Sequence, residues 1–198
     1  MEKNRLEAFS DGVLAIIITI MVLELQVPHG EGIATLFPLL PIFLSYVLSF
    51  VFVGIYWTNH HHMLQTVKTI TGAMLWANLH LLFWLSLIPF VTGWMGENHF
   101  APLPTAFYAV VLLMSAFAYM ILQHLIVSSQ GPHSLLKRAI GNAWKEKLSP
   151  VLCAAAIPAA FVSVLLSQVL FVVVALLWLV PDRRIEKALA SEKRVMHG

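Results

Sequence analysis

Charge is scarce in this sequence: Asp, Glu, Lys and Arg make up 11% of its 198 residues, against about a quarter of an ordinary soluble domain. Hydrophobic residues reach 59% and the mean hydropathy is +0.82, so the chain reads as an integral membrane protein. Its single cysteine, Cys153, lies in an apolar run, which excludes an intrachain disulfide framework and a cysteine-built metal site. A net charge of +2, with the basic residues in membrane-flanking loops, excludes nucleic acid as a partner. HExxH, GxSxG and paired carboxylates within a span are missing, so the residues for intramembrane catalysis are lacking and the chain is not read as an enzyme. No cofactor is expected. The amino terminus lacks a small-residue cleavage site after a pure apolar core and is read as a retained first helix.

What the sequence has is long apolar runs. A hydrocarbon core of about 30 Å needs roughly 20 helical residues, which gives spans of about 7–26, 36–59, 71–94 and 103–128, punctuated by Pro28, Pro89 and Pro102. The last run, Pro150 to Val180, would be a helix of about 46 Å, too long for one span and short for two. A polar turn at Ser167-Gln168 divides it into spans of about 149–166 and 168–181. Charge topology favours that division. With six spans all 12 Lys and Arg residues share one side, opposite Glu24, Glu31 and Glu97, as the positive-inside rule requires. The expected fold is therefore all-α: six transmembrane helices forming one domain, residues 1–198, multi-pass in the cell (inner) membrane with both termini cytoplasmic. The chain shows no second copy of its first helix, so a symmetric pathway needs several subunits.

The first span carries polar residues that a lipid-facing helix would not need. On a helix with Ile16 at 0°, Gly12, Thr19, Ile20 and Leu23 fall within a stripe about 100° wide, while Asp11 lies near −140° and Ser10 near +120°. An intramembrane carboxylate is expected to turn inward and meet donors such as Asn59, His60, His61, His62, Asn78 or His80; the alternative is that Asp11 caps a helix start. The aliphatic stripe faces lipid, a neighbouring helix or a pore. In a pore it would gate by dewetting at Ile16, Ile20 and Leu23, with the Thr19 hydroxyl as the side-chain ligand for a cation. Glu24, near the outer end, either concentrates cations by its field or reaches the interface.

Three blocks carry a resemblance. The first is Arg5-(x)3-Phe9-Ser10-Asp11-Gly12 with the run ending Val22-Leu23-Glu24-Leu25. The second is Tyr56-Trp57-Thr58-Asn59-His60-His61, then Leu75 to Trp84 and Leu87-Ile88-Pro89-Phe90-Val91-Thr92; the third is Leu177-Trp178-Leu179-Val180-Pro181-Asp182-Arg183-Arg184. In order and over nearly the whole chain, these resemble bacterial members of the transmembrane protein 175 potassium channels. The resemblance implies a homotetramer whose first helices line a pore permeable to K+ ions and lacking a TVGYG filter. It implies a constriction at Ile16, with Ile20 and Leu23 outward of it, a selectivity role for Thr19, and a structural polar network drawn from Arg5, Ser10, Asp11, Trp57, His61 and Asn78. Two positions depart from the pattern: Thr71 stands where an acid is expected, and His62-Met63 where a basic residue is.

The rival reading is a proton- or cation-coupled transporter, because nine histidines, including His80 and His124 within spans, offer proton relays. A metal site at His60-His61-His62 is disfavoured, since consecutive helical residues point in different directions.

Overall fold

The computed structural model describes residues 2–67, 69–130 and 144–179. Lys68, Lys137, Arg138 and the basic carboxyl tail, on which much of the charge-topology argument rests, lie outside the described residues, as does most of the third resemblance block. All described regular structure is helical: α1 (Lys3–Leu23), a 3₁₀ turn (Ile33–Leu39), α2 (Leu40–Gln65), α3 (Gly72–Ser86), α4 (Ile88–Glu97), α5 (Pro102–Gln130), α6 (Trp144–Val162) and α7 (Val164–Leu179). By length and composition, α1, the stretch Ile33–Gln65, the pair α3–α4 and α5 are each able to cross a membrane. α7 is a shorter apolar helix, and α6 opens with Lys145, Glu146 and Lys147.

Local chemistry explains the boundaries. α1 stops at Leu23, so Glu24 stands just beyond the helix as its C-cap, and Pro28 prevents continuation. α2 begins with Pro41 in its first turn and runs past the expected end to Gln65, which places His60, His61 and His62 inside a helix. Thr71, at the position where an acid was expected, caps α3: its hydroxyl oxygen accepts from the Met74 N–H at 3.3 Å. The third span is broken at Leu87 because Pro89 lies in the first turn of α4 and has no N–H to continue the ladder of α3.

The last two helices differ from expectation. The break falls at Ser163, and Ser167 and Gln168 sit inside α7. Both are used in packing: the Ser167 hydroxyl donates to the Ala156 carbonyl on α6, and Gln168 Nε2 reaches Met95 Sδ on α4 at 3.6 Å. Apolar surroundings explain this, because a buried polar side chain in a membrane bundle must find its partner on a neighbouring helix. The two helices have 19 and 16 residues, about 28 and 24 Å at helical rise.

α5 is the central post, packed against α3, α4, α6 and α7. Tyr108 on α5, fully buried, donates to Ser49 Oγ on α2 at 3.0 Å; Ser49 donates to Thr92 Oγ1 on α4 at 2.6 Å; and Thr92 donates to the Ile88 carbonyl at 2.6 Å. Each hydroxyl donates once, so the chain joins three helices with no proton unplaced. Glycines bring α4 close to its neighbours. A Cβ at Gly96 would stand 2.8 Å from Ile42 Cα and one at Gly93 would stand 2.7 Å from Glu24 Oε2, the close approach that small residues permit between membrane helices. α1 packs chiefly on α2, α3 and α4 and leaves its other side uncovered.

Because a Cβ at Gly96 would meet the Ile42 backbone as well as the Ser45 hydroxyl, Gly96→Ala should force α2 and α4 apart and destabilise the fold by about 1–3 kcal/mol. Thermal unfolding of the purified protein in detergent should show a lowered Tm.

Candidate functional site

α1 has two faces set by helical spacing. Leu6, Ser10, Leu14, Ile17 and Met21 recur every three or four residues and are buried against the bundle. On the opposite side Ile16 is 59% exposed, Ile20 43% and Leu23 76%, and Gly12 and Thr19 are exposed with them. The Thr19 hydroxyl donates to the Ala15 carbonyl at 2.9 Å. Its proton is thereby directed along the helix, and its oxygen keeps acceptor capacity.

The buried face is held by a directed hydrogen-bond chain. Ser10 donates to the Leu6 carbonyl at 2.9 Å, so its oxygen must accept from Asn78 Nδ2, at 3.0 Å. That turns Asn78 Oδ1 to His60 Nε2, at 2.7 Å, and an amide oxygen only accepts, so His60 carries its proton on Nε2. Ser10, Asn78 and His60 are all buried. They link α1, α3 and α2 at one depth.

Asp11 is separate from this chain. It is exposed at the seam between α1 and α2, where Oδ1 accepts from Trp57 Nε1 at 3.0 Å. Trp57 stacks on His61 with ring centroids 6.1 Å apart, and His61 Nε2 accepts from Gln65 Nε2 at 2.8 Å. The structure therefore brings Ser10 to Asn78 and Asp11 to Trp57, with His61 stacked on Trp57, and the histidine that meets Asn78 is His60. Arg5 joins neither group: its side chain is exposed and makes no hydrogen bond or ion pair among the described residues. His60 was among the candidate donors for Asp11 but not in the network implied by the resemblance, because three consecutive histidines carry no local signal of which one faces α3. Asn59 bonds its own helix, to the Ile55 carbonyl at 2.8 Å, and His80 accepts from Trp84 Nε1 at 2.9 Å, so neither meets Asp11.

At the other end of α1, Glu24 and Glu97 share a crevice of about 480 Å³ with Leu23, Gln26, Phe90 and Trp94. Burial, and then the neighbouring Glu97, raise the Glu24 carboxyl above the ordinary carboxylate range. Among the described residues no group of three or more His, Cys, Asp or Glu is placed to hold a metal ion.

The family model of the endosomal/lysosomal potassium channel TMEM175 matches residues 5–89, the stretch containing both faces of α1 and their partners. A potassium channel of Chryseobacterium sp. is 56% identical over 189 residues, 96% of this chain and 98% of that protein. The chain belongs to the TMEM175 potassium channel family. Its relatives in that family are ion channels of membranes rather than enzymes. A potassium channel of Streptomyces collinus is 34% identical over 126 residues, 60% of this chain and 61% of that protein. The fold of this TMEM175 member is similar to the crystal structure of a lysosomal potassium-selective channel TMEM175 homolog from Chamaesiphon minutus, with TM-score 0.77 and 29% identity over 91% of this chain and 98% of that one.

Removing the middle of the buried chain should be costly. Asn78→Ala leaves Ser10 and His60 without their shared partner and should destabilise the fold by about 1–3 kcal/mol, read as a lowered Tm and a reduced yield of assembled protein on size-exclusion chromatography.

Proposed function

We propose that this chain is one subunit of a homotetrameric, leak-like potassium-selective channel of the bacterial inner membrane, with α1 of each copy lining a central pore. The observation that carries the reading is the two-faced α1. One side is anchored by Ser10–Asn78–His60, and the other presents Gly12, Ile16, Thr19, Ile20 and Leu23 uncovered by any described part of the chain. Family membership supplies the ion, and the six-helix subunit with both termini cytoplasmic agrees with the acidic outer end at Glu24 and Glu97.

In this arrangement the side chains of Ile16, Ile20 and Leu23 form successive aliphatic rings. An aliphatic ring narrow enough to lose its water opposes any ion that must shed hydration to pass, so these rings act as the constriction and gate. Thr19 lies between the first two, where its hydroxyl oxygen replaces part of the hydration shell of a K+ ion. A TVGYG filter has no part in this pathway. Glu24 at the outer mouth raises the local cation concentration by its field. Potassium is the permeant species, and no cofactor takes part.

Purified protein in a planar bilayer is expected to show unitary current steps driven by either gradient, which a coupled transporter does not produce. Ile16→Ala should raise the leak current on the order of tenfold, equivalent to about 1.4 kcal/mol off the barrier; unchanged conductance would move the constriction elsewhere. Thr19→Val should shift the reversal potential under opposed K+ and Na+ solutions toward zero. A reversal potential that stays put removes Thr19 from selectivity.

A further inference from the structure

The uncovered face of α1 does not end at its aliphatic residues. With Ile16 at 0°, Phe9 falls near +20° and Arg5 near −20°, inside the same stripe as Gly12 and Leu23. Both are exposed, Phe9 at 50%. Arg5 stands about 16 Å inward of Ile16 along the helix, and Leu23 about 10 Å outward.

Nothing in the bundle draws Arg5 away from this face. Glu7 lies beside Lys3, with Nζ to Oε1 at 3.9 Å, and Lys3 also donates to the Gln65 carbonyl at 3.0 Å. Asp11 is engaged by Trp57. The guanidinium has no ion-pair or hydrogen-bond partner among the described residues, although the family resemblance would have put it in the polar network.

We infer that Arg5 and Phe9 continue the pore-facing stripe to the cytoplasmic entrance, and that the Arg5 charge makes the channel pass inward current more readily than outward. This rests on the reading of α1 as the pore helix. In a symmetric assembly each α1 brings one guanidinium to the same level, and the summed positive potential lowers the K+ concentration at the inner mouth. Glu24 and Glu97 do the reverse at the outer mouth. In equal K+ solutions the supply of ions from outside then exceeds the supply from inside.

The test is Arg5→Gln in the full-length channel, recorded in symmetric potassium chloride. At about 0.01 M salt, where the Debye length is about 30 Å, outward current should rise roughly threefold relative to inward, as a change of about one kT in mouth potential requires. At about 1 M, where screening acts within about 3 Å, wild type and variant should show the same ratio. Arg5→Lys should retain the wild-type rectification. A current ratio untouched by Arg5→Gln at low salt overturns the charge role.

Placement is tested separately with single cysteines at Arg5, Phe9, Thr19 and Leu23, built on Cys153→Ala and treated with a cationic thiol reagent. Reaction from the cytoplasmic side at Arg5 and Phe9, with altered current, is the expected result. If Thr19 and Leu23 cysteines react from outside while those at Arg5 and Phe9 do not, this inference fails and the pore reading stands. If none of the four reacts, the reading of α1 as the pore helix fails and this inference with it.

Discussion

A helix inside a bilayer gains little by burying apolar side chains against its neighbours, because lipid tails are as apolar as the helices they replace. The rotational setting of α1 therefore depends on polar contacts, and the chain from His60 through Asn78 to Ser10 supplies them. A rotation of α1 by one residue position would carry Ser10 away from Asn78 and leave the buried Asn78 amide N–H without its acceptor. The same rotation would turn Ile16 and Thr19 off the uncovered face. Anchor and uncovered face are thus two consequences of one constraint.

The rest of the bundle keeps that constraint in register. The break at Leu87 divides the third span between two tasks: α3 carries Asn78 to α1, while α4 packs Gly93 under Glu24 and Gly96 against α2. The hydroxyl chain of Tyr108, Ser49 and Thr92 ties the short α4 to the central α5 and to α2. α6 and α7 close the far side, and Ser167 joins them. Large apolar side chains stay exposed on α1 and α2, such as Ile16, Leu23, Phe43 and Phe50, and equally on α6 and α7, such as Phe161, Leu165 and Leu176.

Much of the fold was legible before any coordinates. Gaps between charges placed the first four apolar stretches within a few residues, at most of their ends, of four helical segments long and apolar enough to cross a membrane. Errors arose where one local signal had two physical uses. Ser167 and Gln168 read as a turn because polar residues often mark one, yet at depth a polar side chain serves equally as an interhelical hydrogen bonder, and the chain turns at Ser163 instead. The histidine triplet was ambiguous for a related reason: helical geometry alone does not say which of three adjacent residues faces a particular partner.

For the candidate site, the sequence by itself determined the division of α1 into a polar-bearing side and the stripe of Gly12, Ile16, Thr19, Ile20 and Leu23, because a 3.6-residue period assigns every side chain an angle. It also determined the family, through blocks spread along the chain. Only the tertiary structure decided that Ser10 is buried and Asp11 exposed, that His60 rather than His61 meets Asn78, and that Arg5 remains outside both polar groups. Those outcomes depend on which residues of α2 and α3 stand at the same depth as α1, and depth across helices is set by packing and kinks rather than by any pattern within one helix.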